Sequence, residues 1–355
     1  MSPLLPTRLT ARYGSEHPFA SAGMAFAGET PELAIAVSNA GGIGAIGVGF
    51  MQPDTLRQTI QSVRDATGGA PFNINFITVF DNDGQIRVCA EEQVPIVSFH
   101  WGHPSAEHLA LLRDAGTSVW EQVGTVENAR RAAGDGVEAV VAQGWEAGGH
   151  NYGGLPTFVL VPQMRDALND TLLLASGGIV DGRGVAAALA LGADGVWVGT
   201  RLLASPEANV HPEHQRRLLS ANGTDTTRSG IFGPEMPAFN PMRLHRNNVV
   251  AEWTERLAEV PTDRSEQPEI GRTQFLGQEH VKLKFDVMLP VPVTTGDFEE
   301  MPWLMGQGVG LVHEVMPAAE IVSEMMQDAA GIVSRLSGAV TSSPAERLAV
   351  EPSQR

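Results

Sequence analysis

The chain has 355 residues, a formal net charge of −17, 43% hydrophobic and 18% charged residues, and a single cysteine. That apolar content supplies a large core and excludes a disordered chain, while the negative charge excludes nucleic-acid and anionic-membrane partners through long-range repulsion. Cys89 alone can form neither an intrachain disulfide nor a cysteine-clustered metal site, so no metal is expected and the usage fits a reducing, cytoplasmic compartment.

From the start of the chain, Met1 to Gly14 carries Pro3, Pro6, Arg8 and Arg12 without an apolar h-region, and no apolar run approaches the roughly 18 residues of a membrane span. Short apolar runs then alternate with helical patterns at near-regular intervals, the signature of repeated βα units. In chain order, strands are expected at Phe19 to Ala25, Ile43 to Gly47, Phe72 to Ile77, Ile96 to Phe99, Ser118 to Val123, Ala139 to Ala142, Leu172 to Ser176 and Gly195 to Gly199. Helices are expected between them, for example over Thr30 to Asn39, with Pro31 in the first turn, and over Gly184 to Leu191.

Eight such units read as an α/β chain closed into a (β/α)8 TIM barrel, a fold of about 250 residues. The surplus forms an added C-terminal lid. After about Pro206 the sequence becomes irregular and proline-rich, with helical patches at Asn248 to Glu259 and Val309 to Ala329, a polar loop at Pro261 to Pro268 and a short strand at Val281 to Leu289. The domain reading is a barrel over residues 1–205 completed by C-terminal helices in 306–330, a lid on the substrate side over 206–305, and a tail over 331–355 that frays from Ser342.

Catalytic groups of such a barrel sit on the loops that follow the strands. Ala175-Ser176-Gly177-Gly178-Ile179 and Val198-Gly199-Thr200-Arg201 place glycine turns after the seventh and eighth strands, where barrels bind phosphate through backbone N–H groups. Thr200 can add a hydroxyl donor. After the sixth strand, Gln143-Gly144-Trp145-Glu146-Ala147-Gly148-Gly149-His150 brings an imidazole in on a glycine-rich backbone, and His150 is the general acid/base candidate. His100 and His103, after the fourth strand, are read as a pocket wall because two histidines make an incomplete metal site. Arg243 is a candidate anion contact from the lid.

The segment Gln143 to His150 resembles the signature of the nitronate monooxygenase, or 2-nitropropane dioxygenase, family. Leu174 to Gly184 and Ala193 to Thr200 are similar to its FMN phosphate region, and Ala22-Gly23-Met24-Ala25, Ser38 to Gly44, Pro71 to Asn75 and Gly306-Gln307 are further matches, so the resemblance runs from Pro18 to about Ala330. It implies an FMN enzyme that oxidises alkyl nitronates with molecular oxygen to a carbonyl compound and nitrite, with His150 as the base or proton partner. It further implies that Gly23 and Met24 lie by the isoalloxazine, Asn73 and Gln122 contact its polar edge, Gln143 is cofactor-binding, Gly148 and Gly149 run alongside, Gly177, Gly178, Gly199 and Thr200 hold the phosphate, and Gln307 approaches from the lid. The chain departs from the family after His150, at Asn151-Tyr152-Gly153-Gly154, and has only two tyrosines, Tyr13 and Tyr152.

Two other readings stay open: an NAD(P)H-dependent flavin reductase of the quinone or enoyl-acyl-carrier-protein type, and a flavin-free phosphate-binding barrel lyase or isomerase with His150 as its base. The expected partners are a small-molecule substrate and oxygen, with a homodimer admitted alongside a monomer.

Overall fold

The computed structural model describes residues 5–341. Its strands are β1 (Phe19–Ser21), β2 (Gly44–Gly47), β3 (Phe72–Ile77), β4 (Ile96–His100), β5 (Ser118–Val123), β6 (Ala139–Gln143) and, after the two-residue β7 (Gly149–His150), β8 (Leu172–Ser176) and β9 (Gly195–Val198). All but β7 pair in parallel in the order β1-β9-β8-β6-β5-β4-β3-β2. The ring closes between β1 and β2, where Ile43 N–H donates to Phe19 O at 2.8 Å and Ser21 N–H donates to Ile43 O at 2.9 Å. This is the expected (β/α)8 barrel. β1 ends at Ser21 rather than Ala25, because the chain enters a turn in which Gly28 N–H reaches Met24 O at 2.7 Å.

Helix α1 (Arg8–Tyr13) precedes the barrel, and α2 (Pro31–Asn39), α3 (Pro53–Thr67), α4 (Asp83–Glu91), α5 (Ala106–Asp114), α6 (Val126–Gly134), α7 (Thr157–Ala167) and α8 (Gly182–Ala190) lie between successive strands. Local chemistry sets their starts: proline opens α2 and α3, and the side chains of Ser105, Thr125 and Asp181 cap α5, α6 and α8 by accepting from backbone N–H groups. Side chains alternate between the two faces of each strand and build two cores. Leu9, Ala20, Ile43, Ile96, Trp120, Val141, Leu174 and Trp197 fill the barrel interior, with α1 closing its lower end through Leu9. The opposite faces pack on the helices.

Beyond β9 come α9 (Thr200–Leu203), α10 (Pro212–Ser220), β10 (Thr226–Ser229), β11 (Met242–His245), α11 (Asn248–Trp253), β12 (Glu269–Phe275), β13 (Gln278–Leu283), β14 (Thr295–Gly296) and α12 (Ala318–Thr341). β10, β11 and β7 form one small sheet and β13, β12 and β14 another. Several expectations need correction here. The patch at Asn248 to Glu259 is α-helical only to Trp253 and 3-10 beyond it. The strand expected over Val281 to Leu289 is the earlier Gln278–Leu283, the second arm of a hairpin. The last helix starts at Ala318, directly after Pro317, rather than at Val309, and it runs through the boundary placed at 331. The fraying expected from Ser342 lies outside the described residues. α12 returns to the barrel, where Ile321, Val322, Met325, Met326 and Ala329 join the outer core. No helix among the described residues is long and apolar enough to cross a membrane.

His214 on α10 is 1% exposed, and its Nε2–H donates to Leu304 O at 2.9 Å. Burial pushes its pKa down from 6.5 to about 4. Between those values the unfolded chain binds a proton that the folded chain refuses, so stability falls as pH drops through that window, by at most about 1.4 kcal/mol per pH unit. Melting temperatures at about pH 7 and about pH 5 are therefore expected to separate further for the wild type than for His214→Gln, which keeps an N–H donor. Equal separations would remove His214 as a contributor.

Candidate active site

A cavity of about 290 Å³ opens at the C-terminal ends of the barrel strands. Strand alternation decides which side chains reach it: the inward-pointing positions at the C-terminal ends of β3, β4, β5, β6 and β8 are Asn75 with Ile77, His100, Gln122, Gln143 and Ser176, and all of them line it. Gly23, Met24, Gly148, Gly149, His150, Gly177, Gly178, Gly199 and Thr200 line it too. The structure thus brings most of the sequence-derived candidates to one place.

Four candidates lie elsewhere. Asn73 is one inward step below the cavity, with its Nδ2 donating to Ser98 Oγ at 2.8 Å, and Asn75 takes the position expected of it. Gln307 is held by its backbone, N–H to Glu146 O at 2.9 Å, while its neighbours Gly306 and Gly308 line the cavity. His103 faces away because the chain reverses at Trp101 and Gly102, both at positive φ (63° and 136°), and its ring sits between Glu121 at 2.7 Å and Asp135 at 3.1 Å. Arg243 is 2% exposed on β11, where Nε–H donates to Trp145 O at 3.1 Å and the guanidinium lies 5.3 Å from the Trp145 ring centroid. It braces the loop after β6 instead of reaching the cavity, and burial pushes its pKa down to about 10.

That loop is shaped by Asn151, which the sequence reading passed over as a departure from the family pattern. Its Nδ2 lies 3.0, 3.1 and 3.0 Å from the carbonyl oxygens of Gly144, Trp145 and Ala147, gathering three peptide groups around one buried side chain. Glu146 anchors the same loop by accepting from Thr157 N–H and Thr157 Oγ1–H at 2.9 Å each. The loop then pairs with the lid, since Gly149 and His150 form β7 against Arg243 and Met242 of β11.

The His150 carbonyl accepts from Gln143 Nε2–H at 2.8 Å and His100 Nε2–H at 3.2 Å, and Gln122 Nε2–H donates to His100 Nδ1 at 3.0 Å. His100 is therefore the neutral Nε2–H tautomer. The His150 ring stacks on Phe239, with centroids 3.6 Å apart, and its Nε2 is buried without a hydrogen-bond partner, as is Gln143 Oε1. Burial pushes the pKa of His150 down to about 3 and that of His100 to about 4, so both are neutral near pH 7.

Across the cavity, Gly177 and Gly178 take φ of +109° and +74°, values that side chains resist. Among the described residues nothing accepts from the backbone N–H groups of Gly177, Gly178 and Thr200. Unpartnered backbone donors beside a cavity lined by no lysine or arginine are the kind of group that can receive an anion through peptide dipoles. Of the lining residues the sequence reading missed, Asn75 was findable from the period of two beside Asn73. Phe239 lies in irregular sequence with no such signal.

Asn151→Ala should cost about 2–3 kcal/mol in stability, at about 1 kcal/mol net per lost hydrogen bond, measured by urea unfolding. A loss under about 0.5 kcal/mol would show that the three contacts do not hold the loop.

The sequence model of the nitronate monooxygenase family matches residues 7–83 and 77–328. Nitronate monooxygenase of Paraburkholderia phytofirmans is 33% identical, over 60% of this chain and 70% of its own. FabK from Thermotoga maritima superposes with a TM-score of 0.79 at 35% identity, covering 94% of this chain and 99% of that one. Nitroalkane oxidase from Streptomyces ansochromogenes superposes with a TM-score of 0.76 at 27% identity, covering 92% and 99%. A match that continues through the barrel, the histidine loop and the lid settles the family: the chain belongs to the nitronate monooxygenase family.

Proposed function

We propose that the protein is an FMN-dependent oxidoreductase that converts alkyl nitronates, or nitroalkanes, and molecular oxygen into a carbonyl compound and nitrite, acting in the cytoplasm. The observation that carries this reading is the pairing, in one cavity, of the buried unpartnered atoms His150 Nε2 and Gln143 Oε1 with the unpartnered amides of the glycine loops. FMN fits that donor set. Its phosphate would be held by the amides of Gly177, Gly178 and Gly199–Thr200 together with the Thr200 hydroxyl. Its polar ring edge would be met by Gln122, Gln143 and Asn75, while Gly23, Met24, Gly148 and Gly149 leave room for its flat body. Bound there, FMN would supply the electron-transfer chemistry between substrate and oxygen.

His150, neutral and with a free ring nitrogen, takes the proton from the carbon bearing the nitro group of a neutral nitroalkane. The two contacts on its carbonyl, from His100 and Gln143, hold it at the cavity. Phe239 restricts the tilt of its ring and keeps water from one face.

A second reading, a flavin reductase supplied by reduced nicotinamide, would use the same cofactor cradle in a barrel that superposes on FabK with a TM-score of 0.79. Anaerobic additions to the purified protein separate the two: bleaching of the flavin absorbance by an alkyl nitronate but not by NADPH supports the oxidase reading, and bleaching by NADPH alone replaces it. A colourless protein that cannot be reconstituted with FMN removes both.

His150→Ala is expected to retain FMN and lose roughly 100-fold or more in turnover of a neutral nitroalkane, with a smaller loss on preformed nitronate, which needs no deprotonation. Because His150 is held neutral down to about 3, kcat/KM for a nitroalkane should hold as pH falls through 6.5, the ordinary histidine value. A decline centred there would contradict the assignment of His150.

A further inference from the structure

Between His150 and the tip of the lid hairpin runs a chain of ring contacts, of which the proposed proton transfer uses only Phe239. Phe239 stacks on His150, Phe80 meets Phe239 at 5.4 Å between centroids, Phe50 meets Phe80 at 5.1 Å, and Phe275, at the end of β12, meets Phe50 edge-on at 5.4 Å. All four phenylalanines line the cavity. Phe50, Phe80 and Phe275 are partly buried and leave apolar ring surface uncovered at the border of the cavity.

The opposite wall is also apolar. Val287, Met288 and Leu289 come from the segment after β13, and that segment is fixed from below by Lys282, which is fully buried, donates through Nζ to Met288 O at 2.6 Å and pairs with Asp286 at 3.6 Å. A buried ammonium spent on a backbone carbonyl costs more than an exposed one, and what it secures is the position of Met288 against the cavity. Among the lining residues Glu146 is the one carboxylate, already engaged by Thr157, and there is no lysine or arginine. This end of the cavity therefore offers an incoming molecule apolar contact and neither charge nor a built hydrogen-bonding site.

We propose that the phenylalanine ladder and the Met288 wall form a subsite for an extended apolar group, so that the substrate carries a long alkyl chain or an aryl ring on the carbon skeleton next to the nitro group. This rests on the nitronate reading of the same site for the reactive end of the molecule. It assigns Phe275, on a hairpin otherwise largely exposed and polar, as a specificity residue: its ring is the point at which the hairpin meets the substrate path. Each methylene that enters should tighten binding about fourfold, the equivalent of about 0.8 kcal/mol.

The test separates the subsite from the reaction by using unreactive probes. Dissociation constants of 1-butanol, 1-hexanol and 1-octanol for the purified FMN-loaded protein are measured by thermal shift, beside kcat/KM for nitronates of matching chain length. Both should improve about fourfold per carbon, and Phe275→Ala should lower the octyl-to-butyl ratio about tenfold, with Phe275→Leu restoring most of it. Phe50→Ala, in the loop after β2, should lower the same ratio and guards against misfolding of the hairpin. Alcohol affinities independent of chain length overturn the subsite whatever the protein does to nitronates. Chain-length dependence in a protein that oxidises no nitronate keeps the subsite and removes the reaction.

Discussion

Two backbone segments meet at the mouth of the barrel with no side chain between them. Gly148, in the loop after β6, approaches Gly306 so closely that a Cβ added to it would lie 2.5 Å from Gly306 N, and a Cβ on Gly306 would lie 2.7 Å from Glu146 O. Gly306 N–H meanwhile donates to Thr200 Oγ1 at 2.9 Å and Gln307 N–H to Glu146 O at 2.9 Å. The contact ties together the ends of β6 and β9 and the returning edge of the lid. Either glycine replaced by a larger residue would push the lid outward and widen the cavity, so the distance between the histidine wall and the anion cradle is set by atoms that are missing from two side chains.

That arrangement resolves an electrostatic difficulty. A chain with net charge −17 must hold an anion if it is to keep a phosphorylated cofactor, and the cavity offers no lysine or arginine for the purpose. It offers peptide dipoles instead, aimed by the positive φ of Gly177 and Gly178. The histidines around the same space are neutral because they are buried, so the site has nearly no fixed charge of its own apart from Glu146, whose carboxylate is turned to Thr157. Charge introduced by ligands is then felt strongly in the low-dielectric interior.

Much of the barrel was legible in the sequence because its signals are local. Apolar runs at βα spacing fall within a few residues of the observed strands, and the glycine pair Gly177-Gly178 and the single Gly199 mark the turns that follow β8 and β9. What was not legible depends on direction or on distant partners. Asn73, Asn75 and Ile77 share one face of β3, and that only the latter two reach the cavity follows from where the strand stops, at Ile77. The reversal at Trp101 sends His103 to Glu121 on the outer face, and no spacing rule announces a non-glycine residue at positive φ. Arg243 is read from sequence as an anion contact from the lid, yet the carbonyl and ring of Trp145, 98 residues earlier, receive it. The lid resists prediction for the same reason: its hairpin and its small sheets are held by contacts with the barrel rather than by periodicity of their own.

The lid also departs from the barrel and comes back. α12 packs its Ile321, Val322 and Met325 into the same outer layer as α2 and α8, and Gly182 of α8 is so near it that a Cβ there would fall 2.3 Å from Asp328 Cβ. The outer ring therefore closes only after the chain has traversed everything from α9 to Pro317. Synthesis in the N-to-C direction leaves the flank between α2 and α8 uncovered until the last helix emerges, and the contacts that cover it span most of the chain length. Such long-range closure makes for slow folding, with the exposed seam of the barrel as the surface that a nascent chain must keep from other chains in the interval.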